Sequence, residues 1–229
     1  MSDSVLRAVN VSRVYGSGRT AVHACREVSL AVSASELLAI KGPSGSGKTT
    51  LLNLLGAVDR PTSGYVYLDN AELSEMSERQ LVYLRRNRIG YIFQSFGLIP
   101  ILSVAENVEV PLRLVKVWPR ERKARVAALL AMVGLHDCAD QRPHELSGAQ
   151  QQRAAFARAL ACEPDLLIAD EPTGQLDLET GQAIMDLIRD LVHERGIAAV
   201  VATHDQALID RADRVLELRD GRLGYATAA

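Results

Sequence analysis

The segment Gly42-Pro43-Ser44-Gly45-Ser46-Gly47-Lys48-Thr49 constrains this chain more tightly than any other. It fits the pattern G-x-x-x-x-G-K-S/T, follows the short apolar run Leu37-Leu38-Ala39-Ile40 and precedes Lys48–Ala57, which reads as a helix. A strand, a glycine-rich turn and a helix in that order form a phosphate site. Glycines let successive backbone N–H groups turn inward around a β-phosphate, and the helix N-terminus adds partial positive charge. Lys48 is then placed to neutralise β- and γ-phosphate oxygens, and the Thr49 hydroxyl to ligate Mg²⁺, with Thr50 next in the same turn. Only four of the 26 basic residues are lysine, so a lysine at this position is not a product of composition. The dinucleotide fingerprint G-x-G-x-x-G fails, because Gly45-x-Gly47 is followed by Thr50 where the last glycine belongs.

The rest of the chain organises around that turn. Val5–Tyr15 and Ala21–Val32 mix β-branched and polar residues, as strands of an antiparallel sheet do. Gly64–Asp69 alternates as a strand, Ser77–Asn87 reads as a helix with Ser77 as N-cap, and Ile89–Phe93 is a further strand. From Ser103 to Leu160 apolar residues recur at helical spacing, with Pro119 starting one helix and Gly148 near the start of another. Leu166–Ala169 and Ala198–Ala202 are apolar strands separated by a helix at about Glu179–Arg195. This order predicts an α/β fold: a parallel-sheet core (1–94 and 161–229) with an N-terminal antiparallel β subdomain and a helical subdomain inserted at 95–160.

A second chemical feature sits at a strand end. Leu166–Ala169 delivers Asp170 and Glu171 at its C-terminal edge, where open α/β sheets bind ligands. Asp170 is positioned to hold Mg²⁺, and Glu171 to orient and deprotonate an attacking water.

Leu146-Ser147-Gly148-Ala149-Gln150 resembles the LSGGQ signature of ATP-binding-cassette (ABC) ATPases, and other marks of that family follow in order across nearly the whole chain. The resemblance implies a P-loop ATPase that binds ATP and Mg²⁺. It implies that Tyr15 stacks on adenine, that Gln94 reaches Mg²⁺ and the attacking water, that Asp177 belongs to the D-loop, and that His204 contacts the γ-phosphate. It further implies that Ser147, Gly148, Ala149 and Gln150 of one subunit cap the ATP held by the other, so that the ATP-bound enzyme is a head-to-tail homodimer. Two positions depart from the pattern: Ala149 stands where the family has glycine, and Gln175 lies in the D-loop where asparagine is common. A methyl group at 149 would crowd the phosphate or, where the backbone needs positive φ, strain it.

Leu84–Gln94 and Leu98–Leu112 resemble the subgroup of macrolide-efflux, lipoprotein-release and cell-division ATPases. That likeness implies an integral membrane permease docked in a groove beside Gln94, between the helical insertion and the core and lined from Ser95–Leu102 and neighbouring helices, and peripheral placement on the inner face of the cell membrane. Export or lipoprotein extraction, control of a cell-wall hydrolase during division, and import remain open at this point. Composition narrows the partners. A net charge of −2 and pI near 6.2 argue against nucleic acid. The longest apolar run, Val126–Leu135, is ten residues against the ~18 needed to span a bilayer, so no direct membrane insertion is expected. Cys25, Cys138 and Cys162 are scattered and unpaired in pattern, as reduced thiols in a reducing, cytoplasmic compartment are.

Overall fold

The computed structural model describes residues 4–174 and 176–225, so Gln175 lies outside the described residues. In chain order the elements are β1 (Ser4–Tyr15), β2 (Val22–Ser33), β3 (Leu37–Lys41), α1 (Lys48–Leu55), β4 (Ser63–Leu68), β5 (Ala71–Glu72), α2 (Glu78–Asn87) and β6 (Ile89–Ile92). Three helices follow, α3 (Val104–Leu114), α4 (Pro119–Met132) and α5 (Gly148–Ala159). The chain then runs through β7 (Leu166–Asp170), α6 (Leu178–Arg195), β8 (Ala198–Ala202), α7 (Gln206–Ile209), β9 (Arg214–Arg219) and β10 (Arg222–Tyr225).

Two sheets result. One is antiparallel, ordered β2-β1-β4-β5; the other is ordered β10-β9-β3-β8-β7-β6, parallel except for the edge strand β10. The central parallel strands β3, β7 and β8 are buried on both faces, which is why they read as continuous apolar runs rather than alternations. Leu38, Ile40, Leu166, Ile168, Ala198, Val200 and Ala202 face one core, shared with α1 and the antiparallel sheet. The intervening residues Leu37, Leu167, Ala169, Ala199 and Val201 face the other, filled by α3, α4, α5 and α6. The period of two along each strand thus assigns the two faces to different cores.

Helix starts follow local chemistry. Ser103 and Ser147 cap α3 and α5, each reciprocated by Glu106 and Gln150, while Pro119 opens α4. Asp177 caps α6 through Thr180, and Gly196 closes that helix at φ 70°. The final hairpin β9–β10 is not among the elements expected above. Its signal is Asp220-Gly221 between alternating apolar residues, a two-residue turn with both φ values positive.

Candidate functional site

The turn between β3 and α1 owes its path to two glycines. A Cβ at Gly42 would lie 2.2 Å from the Leu218 carbonyl oxygen, and one at Gly47 (φ 102°) would lie 2.1 Å from that of Ala24. Only glycine fits either place. Gly47 is therefore a backbone N-cap, and the first N–H groups of α1, which have no intrahelical acceptor, open into a cleft of about 1010 Å³. Lys48 is nearly buried, and its Nζ donates to the carbonyls of Gly42 (2.8 Å) and Pro43 (3.3 Å) while standing 3.6 Å from Glu171 Oε1.

The carboxylates enter from the neighbouring strand ends. Asp170 is buried at the end of β7; burial pushes its carboxyl pKa up, and the Thr49 hydroxyl and the Lys48 charge pull it back. Its Oδ1 has no hydrogen-bond partner. Glu171 follows at φ 46°, a left-handed conformation unusual for a non-glycine residue, fixed by its N–H bond to the Ala202 carbonyl (2.9 Å). Its Oε2 meets His204 Nδ1 at 2.8 Å, so one carboxylate lies between Lys48 and His204. His204 projects from just beyond β8, and Gln94 from just beyond β6, onto the same cleft.

Tyr15 forms the far rim. Its hydroxyl donates to Asp59 (2.8 Å), which also pairs with Arg13 (2.9 Å), and the Arg13 guanidinium lies 4.6 Å from the ring centroid. The ring is held by these contacts yet remains 40 % exposed, so it offers an aromatic surface to a planar ligand.

Of the residues expected to bind phosphate, Gly42, Pro43, Ser44, Gly45, Gly47, Lys48, Thr49 and Thr50 line the cleft, and Ser46 does not. Ser46 is buried; its N–H goes to the Pro43 carbonyl (3.2 Å) and its carbonyl accepts from Gly221 (3.1 Å), so it braces the loop from behind. Ser147, Gly148, Ala149, Gln150 and Asp177 also lie outside the cleft lining. Their polar groups serve helix starts: the Ser147 hydroxyl accepts from Gln150 N–H (3.2 Å), and Asp177 from Thr180. Ala149 sits in the first turn of α5 and has no positive φ, which removes backbone strain as an effect of its methyl group. Sequence reasoning missed the cleft residues on β2 and the β9–β10 turn, including His23, Ala24, Asp220 and Gly221. These have no motif; only the Asp-Gly hairpin signal pointed to the turn.

Mg²⁺ fits this donor set. Among the described residues no three His, Cys, Asp or Glu side chains gather to hold a metal, but Mg²⁺ commonly uses one or two protein oxygens and completes its shell with phosphate and water. The Thr49 hydroxyl and the unpartnered Asp170 Oδ1 supply such oxygens beside the phosphate turn.

A second groove, about 270 Å³, lies between the core and the helices of 104–159, lined by Arg86, Tyr91, Phe93, Pro111, Leu114 and Arg158 among others. Tyr91 and Phe93 stack in it at 4.4 Å, and Arg158 ties the loop after Gln94 through the Phe96 (2.9 Å) and Gly97 carbonyls. Of the expected lining, the neighbouring helices contribute Pro111, Leu114 and Arg158, and of Ser95–Leu102 Gly97 alone reaches this groove; Asn107 instead pins Ile99 and Leu102 to the start of α3.

A glycine-rich phosphate turn, an acidic strand end and a histidine facing it across the cleft, all on a parallel sheet, define a P-loop nucleoside-triphosphatase. The particular family is shown by comparison: residues 25–174 match the ABC transporter family, and the chain belongs to it. It is similar to an uncharacterised ABC transporter ATP-binding protein of Thermotoga maritima, 47 % identical over 96 % of this chain and 93 % of that one. It is 41 % identical to a lipoprotein-releasing system ATP-binding protein of Rhodospirillum rubrum, over 97 % of this chain and 99 % of that one. It is 42 % identical to a macrolide export ATP-binding/permease protein of Brucella melitensis, of which it spans only 34 %. The dimeric structure of the ATP-binding cassette MJ0796, described as a post-hydrolysis state bound to ADP and Pi, superposes with a TM-score of 0.90 at 39 % identity, covering 98 % of this chain and all of that one. The chain is thus an ABC-type ATPase, the ATP-binding subunit of an ABC transporter.

Proposed function

We propose that two copies of this chain close on two ATP molecules and drive a membrane permease, in export or in lipid or lipoprotein extraction. The observation that carries the reading is the separation of the capped start of α5 from the cleft: a single chain holds the phosphate turn and both carboxylates, while its Ser147–Gln150 segment lies elsewhere. A two-fold, head-to-tail pairing would bring that segment of one copy to the nucleotide of the other. The names of the lipoprotein-release and macrolide-export relatives and the dimeric MJ0796 cassette support it.

In this mechanism the backbone N–H groups of the turn and Lys48 bind the β- and γ-phosphates, and Tyr15 stacks on adenine. Thr49 and Asp170, with Gln94, would hold Mg²⁺, which would supply positive charge against the negative charge that develops on the phosphate oxygens. Glu171 orients a water and takes its proton as the water oxygen bonds to the γ-phosphorus and the bond to the β–γ bridging oxygen breaks. His204, bonded to Glu171, fixes the carboxylate and reaches the γ-phosphate. Residues 95–160 act as the helical subdomain that transmits closure, and the groove of Tyr91, Phe93 and Leu114 receives the permease, placing the chain on the inner face of the membrane. Isolating the chain with its associated membrane proteins tests this. A bound integral membrane protein whose addition changes ATP turnover is expected; full turnover with no such protein would contradict it.

A further inference from the structure

The corner between α3 and α4 carries charge out of keeping with the chain. Residues 109–125 hold six basic and two acidic side chains, a local +4 within a net charge of −2. Glu109 is shared between Arg113 and Arg122, and Glu121 is taken by Arg125. Lys116, Arg120 and Lys123 are exposed and, among the described residues, enter no ion pair. Between them stands Trp118, the single tryptophan, 79 % exposed, with Leu114 half exposed on the α3 side.

Folding does not ask for these side chains. Trp118 occupies the N-cap of α4 and makes no capping bond, where Ser, Thr, Asp or Asn would stabilise the helix. Arg120, Arg122 and Lys123 lie at the positive end of the α4 dipole, where acidic residues are favoured. The corner itself is well fixed. Val117 N–H bonds the Leu112 carbonyl (3.0 Å) and Lys116 N–H that of Arg113 (3.1 Å), with Lys116 at φ 62° in the left-handed position that usually takes glycine. A rigid corner therefore presents uncompensated cations around an amphipathic ring.

We propose that this corner is a headgroup contact with an anionic lipid bilayer: Lys116, Arg120 and Lys123 meet lipid phosphates, and the Trp118 indole lies at the interface. Clustered cations seek anionic leaflets, and tryptophan is the residue that favours headgroup depth. Continuity supports a bilayer over a free polyanion, because Leu114 also lines the groove assigned to the permease. The inference rests on that assignment for its location. No helix among the described residues is long and apolar enough to cross a membrane, and none needs to.

The test uses the purified full chain and protein-free vesicles, so it does not depend on the permease. The probes are phosphatidylcholine vesicles, the same vesicles with about a third phosphatidylglycerol, and a soluble oligonucleotide. Trp118 reports its own environment by fluorescence. Expected are a blue shift and co-sedimentation with the anionic vesicles only, binding at least about tenfold weaker for the K116Q/R120Q/K123Q variant, and release at about 0.5 M salt. The W118S variant, charge intact, is expected to keep part of the binding. Basal ATP turnover of both variants is expected at the parent rate, which shows that they fold. No anionic-vesicle binding, equal binding by the triple variant, or a shift with the oligonucleotide alone would overturn the proposal. Loss of turnover in the parent chain would instead strike the ATPase mechanism and leave the vesicle result readable.

Discussion

Glu171 holds a strained φ of 46° while its carboxylate spans Lys48 and His204, and a side chain so placed serves chemistry better than packing. Glu171→Gln keeps the size and the bond to His204 and loses the proton acceptor. Turnover is expected to fall ~10²–10⁴-fold with ATP affinity retained, as steady-state rates and nucleotide titration would show. Ala149 is a subtler case. Its helical backbone rules out strain from positive φ, so under the proposed pairing crowding of the partner's γ-phosphate is the route by which the methyl would slow turnover. Ala149→Gly is expected to raise turnover, about fivefold for ~1 kcal/mol of relieved crowding, while slightly lowering stability through helix propensity. An unchanged or lower rate argues that the methyl has no such cost. Cys25 shows burial acting on titration. Its thiol is pushed up to about 11 by desolvation, so the folded state keeps a proton that the unfolded state loses near pH 8.5–9. Stability is therefore expected to fall, by on the order of 2 kcal/mol, between about pH 9 and 11. Denaturant midpoints at the two ends of that window should show the drop shrinking in Cys25→Ala.

Among the elements, those with a local cause were legible in the sequence. The β3 run, the turn and α1 follow from an apolar strand, two sterically required glycines and a helix start. The Pro119 start of α4 and the Gly148 start of α5 were equally plain, because capping chemistry is local. The β9–β10 hairpin and the β2 wall of the cleft were not, since their place depends on pairing with strands far along the chain: β9 beside β3, and Arg26 N–H on the Gly221 carbonyl (2.7 Å). That Ser46 lies behind the cleft lining was not legible either, as nothing local tells which turn residue faces inward. Asn107 went unnoticed because an asparagine within a helix carries no motif. It is fully buried, accepts from Ile99 N–H (2.7 Å) and donates toward the Ile99 (3.1 Å), Leu102 (3.2 Å) and Ser103 (2.9 Å) carbonyls, tying the loop after Gln94 to α3. Asn107→Ala leaves these groups unmet. A loss of about 2 kcal/mol is expected in chemical denaturation, with faster amide exchange confined to 96–103. Unchanged exchange there would deny the tie.

At the scale of the whole molecule, the proposed site is incomplete in a single chain. The cleft holds the groups that bind and activate, and the α5 start that the family resemblance assigns to the same reaction lies outside it. The fold class and the cleft side of the site were readable from one chain, whereas under the proposed pairing the other side would come from a second copy, with only the signature residues as its trace. If two copies close on nucleotide, blocking hydrolysis should hold them closed. The direct measurement is the mass of the Glu171→Gln variant by sedimentation, with and without ATP and Mg²⁺. The expected result is a shift from the 24.9 kDa monomer to twice that mass on adding both, reversed when the nucleotide is removed. A species that binds ATP and remains at 24.9 kDa across micromolar concentrations would contradict the account.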